Sequence, residues 1–515
     1  MTENRYIDTR GCCAQPVSFT EAVVKGLADG GGLFVPQNIP SMTLEEIVAL
    51  ANLPYAQRAA AVYKRFEIDL PSELIDQLMA GAYGAQFDSE DICPLTALDS
   101  KTFMLELWHG PTAAFKDMAL QCLPRFFSAS AKALREQGKL DHHFMILVAT
   151  SGDTGKAALE GFRDIDGVSI GVMYPHGGVS DIQFKQMATQ AGNNVRVWAV
   201  EGNFDDCQSG VKTIFSDAVF TKKLLEKHNL ALSSANSINW GRLLPQVVYY
   251  LSSYAKLVSQ GAIRAGESID ICVPTGNFGN ILAAWYAKQM GAPIDKLICA
   301  SNANRVLTDF IETGTYDISD RAFMLTPSPS MDILISSNLE RQLFELSGRN
   351  TQATAQWMTD LRNTGKFTVD AETLKRVQST YKAGSTSDNE CLETIKQVFE
   401  QYHYLLDPHT AVAYHVASQV RGSNPLVIAS TAHWAKFGEN VYRGLHGIPA
   451  GEVLPADIAA LSGCELNKHI AQEIGNPYLP KGLAQLDELP LRFTETIDSS
   501  IATLEKAALD FAQEN

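Results

Sequence analysis

From about residue 100 onward, six short apolar runs set the texture of the chain. They are FMILVAT (144–150), VSIGVMY (168–174), VRVWAV (195–200), IDICVPT (269–275), KLICAS (296–301) and PLVIAST (425–431). Each is nearly continuous in apolar residues rather than alternating, as expected of strands covered on both faces in a parallel sheet. Helical patterns such as TGKAALEGF (154–162) and GNILAAWYAKQMG (279–291) fall between them. Strand, loop and helix in repeated order predict an α/β architecture.

At 515 residues the chain is too long for one compact unit. Residues 1–95 mix turns such as DGGGLFVP (29–36) with helical patterns such as SFTEAVVKGL (18–27), and read as an N-terminal domain. A large domain is expected from 96–140 and 241–465, and a small α/β domain from 141–240. A C-terminal helical segment is expected at 466–515. Within the large domain, residues 311–400 are richer in Thr, Ser, Asn and charge, and read as a mostly helical insertion.

The formal net charge is -16, which argues against a nucleic-acid surface. No apolar run approaches the roughly 20 residues that span a bilayer, and MTENRYIDTRG lacks the apolar segment of a secretory signal. Nine cysteines at irregular spacings fit reduced, mostly buried thiols. The expectation is a cytoplasmic protein with neither nucleic acid nor membrane as partner.

WHGPTAAFKDMALQ (108–121) sets Lys116 among small and apolar residues. A buried amine must have its charge compensated or removed. In the second case it becomes a nucleophile able to condense with an aldehyde. Three loops that follow strands could complete such a site, because ligands of open α/β sheets bind at strand carboxyl ends. In ATSGDTGKAA (149–158), Ser151, Thr154 and the backbone could receive an anion at a helix N-terminus. It is no P-loop, since Thr150 and Ala157 stand where that motif needs Gly and Ser or Thr. In PTGNFGNILAAW (274–285), Gly276 and Gly279 bracket Asn277 and Phe278 before a helix, a cup sized for one phosphate. In ASTAHWAKFGEN (429–440), Thr431 offers a hydroxyl at the strand's end. Each loop alone also reads as a helix cap or glycine turn. Together with Lys116 they suit an aldehyde cofactor with one phosphate, and pyridoxal phosphate is that cofactor.

HGPTAAFKD, ATSGDTG, GNFDDCQ (202–208), SINWGRLLPQ (237–246), PTGNFGN and STAHWAKF, in this order, resemble the threonine synthase family. YIDTRG, SFTEAV and GGLFVP resemble that family's N-terminal domain. The resemblance is to the longer-chain bacterial and fungal branch. It implies a fold-type-II pyridoxal phosphate architecture and a lyase converting O-phospho-L-homoserine and water to L-threonine and phosphate. It makes Lys116 the Schiff-base lysine, and Gly276, Asn277, Phe278, Gly279 and Asn280 the holders of the cofactor phosphate. Thr431 would face the pyridine nitrogen, with Asp153 near the phenolic oxygen. Ser151 and Thr154 would receive the substrate carboxylate. The leaving phosphate needs a cation, for which Asn239 with Arg242, or Lys185, are candidates; either basic residue could instead sit in a surface salt bridge. His109 and His409 have no companions at metal-ligand spacing, and read as structural. The expected assembly is a monomer or homodimer. Three rivals remain at this point: a related phospholyase releasing 2-oxobutyrate, a serine or threonine dehydratase with no phosphate pocket, and an inactive binding protein.

Overall fold

The computed structural model describes residues 4–150 and 152–514. Its two main sheets are built from eleven strands, numbered here in chain order: β1 (Leu95–Asp99), β2 (Thr102–Glu106), β3 (His143–Ala149), β4 (Val168–Pro175), β5 (Val195–Val200), β6 (Leu230–Ser233), β7 (Ile269–Pro274), β8 (Ile294–Ser301), β9 (Tyr381–Ser385), β10 (Leu426–Ser430) and β11 (Thr496–Ile497). The larger sheet has the order β9-β8-β7-β10-β2-β1, and the smaller one β11-β5-β4-β3-β6. All pairings are parallel except β1 with β2, which is antiparallel. The near-continuous apolar runs thus become strands covered on both faces; β4 and β7 are buried along their whole length.

Four helices carry the site: α1 (Lys116–Leu120), α2 (Asp153–Phe162), α3 (Trp240–Ser259) and α4 (Gly279–Gln289). Helix α1 belongs with the larger sheet and α2 follows β3 of the smaller one. They meet so closely that a Cβ on Gly161 would lie 1.8 Å from the Leu120 carbonyl oxygen. Only a glycine lets the two helices approach to this distance.

Two segments read from sequence as helical also contain strands. Within 311–400, Tyr381–Ser385 is the edge strand of the larger sheet, and Thr315–Asp317 pairs with Lys366–Thr368. Within 466–515, Thr496–Ile497 pairs with Ala199 and Val200, and the helix Ile501–Glu514 follows it, burying Leu504, Ala508 and Phe511. The chain end is therefore built into the small sheet. These strands are short and partly exposed, so their apolar signal is weak.

The N-terminal part is tied to the insertion by ionic contacts. Arg10 pairs with Glu340 at 2.8 Å, and the fully buried Arg341 donates to the Phe34 carbonyl at 2.9 Å. All nine cysteines are free, and seven of them are buried. Among the described residues no helix is long and apolar enough to cross a membrane.

Candidate active site

The loop after β2 is laced to the loop after β10 by main-chain bonds. Leu107 N donates to Ser430 O (3.0 Å), Phe115 N to Thr431 O (2.8 Å), and His433 N to Ala113 O (3.1 Å). Lys116 and Thr431 are thereby set on neighbouring strand ends. Asp117 closes the turn by accepting from Thr112 N (2.8 Å) and Thr112 Oγ1 (2.7 Å). A Cβ on Gly110 would collide with Asp117 Cβ at 2.5 Å. Ala113 takes a left-handed φ of 57°, a strained choice for a residue with a Cβ.

Lys116 is buried, as its neighbours in sequence imply. Its Nζ donates to Ser330 Oγ (3.2 Å) and lies 3.6 Å from Asp153 Oδ2. Burial pushes the amine's pKa down; the nearby Lys436 and Arg242 push it further, and Asp153 opposes them. Asp153 stands at the start of α2 and accepts from Gln183 Nε2 (3.1 Å) and from Ser330 Oγ (3.3 Å). Burial works against its charge, but Lys436, Lys116 and His409 outweigh burial and hold the carboxyl well below the usual carboxylate range. Lys436 lies 3.1 Å from Asp153 Oδ1, with no side-chain exposure. It also donates to Thr112 O (2.8 Å) and Gln186 Oε1 (2.9 Å).

The cup between β7 and α4 has the features an anion needs. Phe278 adopts a left-handed φ of 62° at the N-cap of α4, and no side chain caps the helix. Its first N–H groups are left for a ligand. A Cβ on Gly276 would lie 2.8 Å from Ser330 O, so that position must stay bare. Ser336 Oγ donates to Gly276 O (2.7 Å), and Asn338 donates to Asn277 O from N and from Nδ2 (both 3.1 Å). Asn280 Oδ1 accepts from Tyr249 OH (2.8 Å) and Tyr250 OH (2.5 Å), while its Nδ2 is buried without a partner. A bound phosphate would supply that partner. The residues present therefore fit a phosphate-bearing aldehyde: an amine with lowered proton affinity, an uncapped helix start and an orphaned amide donor.

Arg242, in α3, is buried and donates to Ala235 O (2.9 Å), while its Nε has no partner. No carboxylate pairs with it among the described residues, and burial pushes its pKa down to about 10. Asn239 differs from expectation. Its Oδ1 caps α3 by accepting from Gly241 N (2.9 Å), and its Nδ2 donates to Val23 O (2.8 Å). That carboxamide joins the N-terminal part to α3. Lys185 is held by Asp487 (2.6 Å) and Asp181 (3.2 Å) in a partly exposed ion-pair group. Thr154 is the second residue of α2 and half-buried. Ser151 lies outside the described residues. His109 bridges Asp88 and Glu106, and His409 accepts the Ser330 N–H through Nε2 (3.1 Å) while its Nδ1 meets Asp407 (2.9 Å). Lys436 and Ser330 were not picked out from sequence. For Lys436 a signal existed: an amine between Ala435 and Phe437, the same anomaly that marks Lys116.

Residues 94–431 match the family described as Pyridoxal-phosphate dependent enzyme, 5–83 the Threonine synthase N terminus, and 410–507 the Threonine synthase C-terminal family. A threonine synthase of Pseudomonas aeruginosa is 41% identical over 460 residues, covering 89% of this chain and 93% of its own. The chain belongs to the threonine synthase family. A crystal structure of pyridoxal-phosphate-bound threonine synthase from Brucella melitensis superposes with a TM-score of 0.85 at 37% identity, covering 99% of this chain and 100% of that one. The yeast threonine synthase structure gives a TM-score of 0.84 at 34% identity, covering 99% of each chain. Human threonine synthase-like 1 is 44% identical over 445 residues, covering 84% of this chain. This chain spans only about three fifths (59%) of the length of that relative. Family membership makes the fold that of type-II pyridoxal phosphate enzymes.

Proposed function

We propose that this chain is a threonine synthase, converting O-phospho-L-homoserine and water to L-threonine and phosphate. One observation carries the reading: Arg242, a buried guanidinium that meets no carboxylate among the described residues, adds its positive field to the buried Lys116, which donates to Ser330 beside the cofactor-type cup. A substrate with a phosphate dianion supplies what Arg242 lacks. A dehydratase acting on unphosphorylated serine or threonine would leave that charge unmet.

In this reading Lys116 holds the cofactor, Gly276, Asn277, Phe278, Gly279 and Asn280 hold its phosphate, and Thr431 faces its ring nitrogen. Bound there, pyridoxal phosphate supplies the aldehyde and the conjugated electron sink. The Lys116 amine, placed to hold the cofactor, would also serve as the general base that takes the Cα proton of the substrate and returns protons at later carbons. The lowered proton affinity of its amine suits a general base. Ser151 and Thr154 receive the substrate carboxylate, and Arg242 binds the phosphate that leaves. Thr431 is a neutral hydroxyl, so it does not enforce protonation of the ring nitrogen as a carboxylate would. Asp153 beside the phenolic oxygen would repel it unless neutralised, and Lys436 supports the reading by offering that neutralisation. We place the protein in the cytoplasm, as a monomer or homodimer.

The test is incubation of the purified chain, loaded with pyridoxal phosphate, with O-phospho-L-homoserine. Equal amounts of phosphate and threonine are expected. The second reading is a related phospholyase acting on the same phosphate ester. Phosphate with 2-oxobutyrate in place of threonine would establish it. No visible band removable by borohydride at Lys116 would overturn both.

A further inference from the structure

Lys436 has no side-chain exposure, yet the STAHWAKF segment that contains it gives it no role and no proton transfer in the proposed chemistry passes through it. Its ammonium donates to Thr112 O and Gln186 Oε1 and forms an ion pair with Asp153 Oδ1. It has no surface left to touch substrate. Asp153 stands between the two lysines, with Oδ1 toward Lys436 at 3.1 Å and Oδ2 toward Lys116 at 3.6 Å.

We propose that Lys436 is a positioning residue for this site: as the permanent counter-ion of Asp153, it frees the Lys116 amine to lose its own charge. This role rests on the pyridoxal phosphate reading of Lys116 and follows from charge balance. A buried carboxylate with one cation binds that cation's proton in place; removing the charge from Lys116 would strand the anion. With a second ammonium on its other oxygen, Asp153 stays compensated whether Lys116 is charged, neutral or condensed. The second ammonium also repels a charge on Lys116, the arrangement by which a neighbouring cation activates a lysine nucleophile.

The other charged groups around the pair do not take over this role. Arg242 faces Lys116 with the same sign. His409 accepts the Ser330 N–H through Nε2 and so brings no cationic N–H to Asp153. Asp117 lies near Lys436 but is closed on Thr112, and Lys156 is paired with Glu160 at 3.2 Å. His433, near Lys436 in sequence, is pushed down to about 3 by burial and stays neutral.

The experiment follows the neutral-amine fraction of Lys116 in the cofactor-free full chain. Trace acetylation at pH 7.5 is read at Lys116 by mass spectrometry, for the wild type and for Lys436→Gln, Asp153→Asn and the double variant. Lys436→Gln should lower labelling about tenfold, the effect of moving the amine's pKa by one. Lys436→Arg, which keeps the charge, should stay within about threefold of wild type. In the Asp153→Asn background the Lys436→Gln defect should shrink to what direct repulsion between the two amines supplies, because there is no anion left to strand. A defect of equal size in both backgrounds would show that Lys436 does not act as the counter-ion of Asp153, and would overturn the proposal, as would full labelling in Lys436→Gln. If Gln at this position unfolds the chain, Lys436→Met with and without Asp153→Asn gives the same cycle. Turnover of phosphohomoserine is not part of the readout, so failure of the substrate reading would not alter what this cycle decides.

Discussion

Arg242 should separate stability from activity. Its guanidinium is buried, keeps one hydrogen bond to Ala235 O at 2.9 Å and has no carboxylate partner among the described residues. The fall of its pKa from the ordinary guanidinium range to about 10 corresponds to about 3 kcal/mol of charge burial, at about 1.4 kcal/mol per power of ten. Replacing it with methionine, a flexible apolar chain, removes that penalty and loses a hydrogen bond worth about 1 kcal/mol. The cofactor-free variant should gain about 2 kcal/mol, a rise in Tm of about 2 °C for a chain this long. Activity should move the other way. Loss of a charge-assisted contact to a phosphate that departs in the reaction costs about 3–4 kcal/mol, or roughly 100- to 1,000-fold in kcat/KM for phosphohomoserine. Differential scanning calorimetry and a coupled phosphate assay on the same preparations read both. A variant that melts below wild type, or that keeps kcat/KM within threefold, would refute the view of Arg242 as a cation waiting for a substrate anion.

Three further predictions rest on other contacts. His109 sits between Asp88 Oδ1 (2.6 Å) and Glu106 Oε2 (2.8 Å); burial opposes its charge, but these partners raise its pKa to about 8. Because this lies above the ordinary 6.5, the stabilisation of about 2 kcal/mol is complete below pH 6.5 and is lost as pH rises through 8; the Tm decline over that range should flatten in His109→Gln, and equal slopes would count against the clamp. Gly161→Ala should lower the urea midpoint by an amount equivalent to about 2–4 kcal/mol, because its Cβ would meet the Leu120 carbonyl at 1.8 Å and separate α1 from α2; wild-type stability would mean the helices do not pack this closely. Thr431→Asp should increase by-products relative to threonine, since a carboxylate would hold the ring nitrogen protonated; unchanged partitioning on chromatography would dismiss a role for the neutral hydroxyl.

The six apolar runs found in the sequence are six of the seven interior strands of the two sheets, and their legibility has a physical cause. Strands covered on both faces need uninterrupted apolar side chains, which single-sequence reading detects. The strands it passed over are β1, β2, β6, β9 and β11. Among them β9 (YKAGS) is half-buried and contains a glycine, and β11 is two residues long at a sheet edge. Much of the candidate site was likewise visible, because Lys116 and the 276–280 turn break the local rules for their settings. Asn239 shows the limit: an amide beside an arginine in SINWGRLLPQ looks like a recognition pair, yet it serves as the cap of α3 and a tether to Val23. Ser330 was invisible for another reason. Nothing about TPSPSMD marks a serine that reaches Lys116, because its place depends on how the 311–400 insertion folds back over the cup.

The charges buried around Lys116 explain why those distant segments converge. Lys116, Lys436 and Arg242 bring three cations to one carboxylate, Asp153, while the nearby Lys156 is already matched by Glu160. Uncompensated burial of this kind is costly and would not persist without strong packing around it. The packing is supplied from outside the two sheets: Asn338 and Ser336 of the insertion fasten the cup, and Arg341 braces Asn338 and joins the insertion to Phe34. The N-terminal part and the insertion can therefore be understood as the structural support for an electrostatic imbalance. Two phosphates, one on the cofactor and one on the substrate, would correct it, and the chain as a whole, with a net charge of -16, has no shortage of anions it could have placed there instead. A site kept cationic in an acidic protein is one shaped around what it binds.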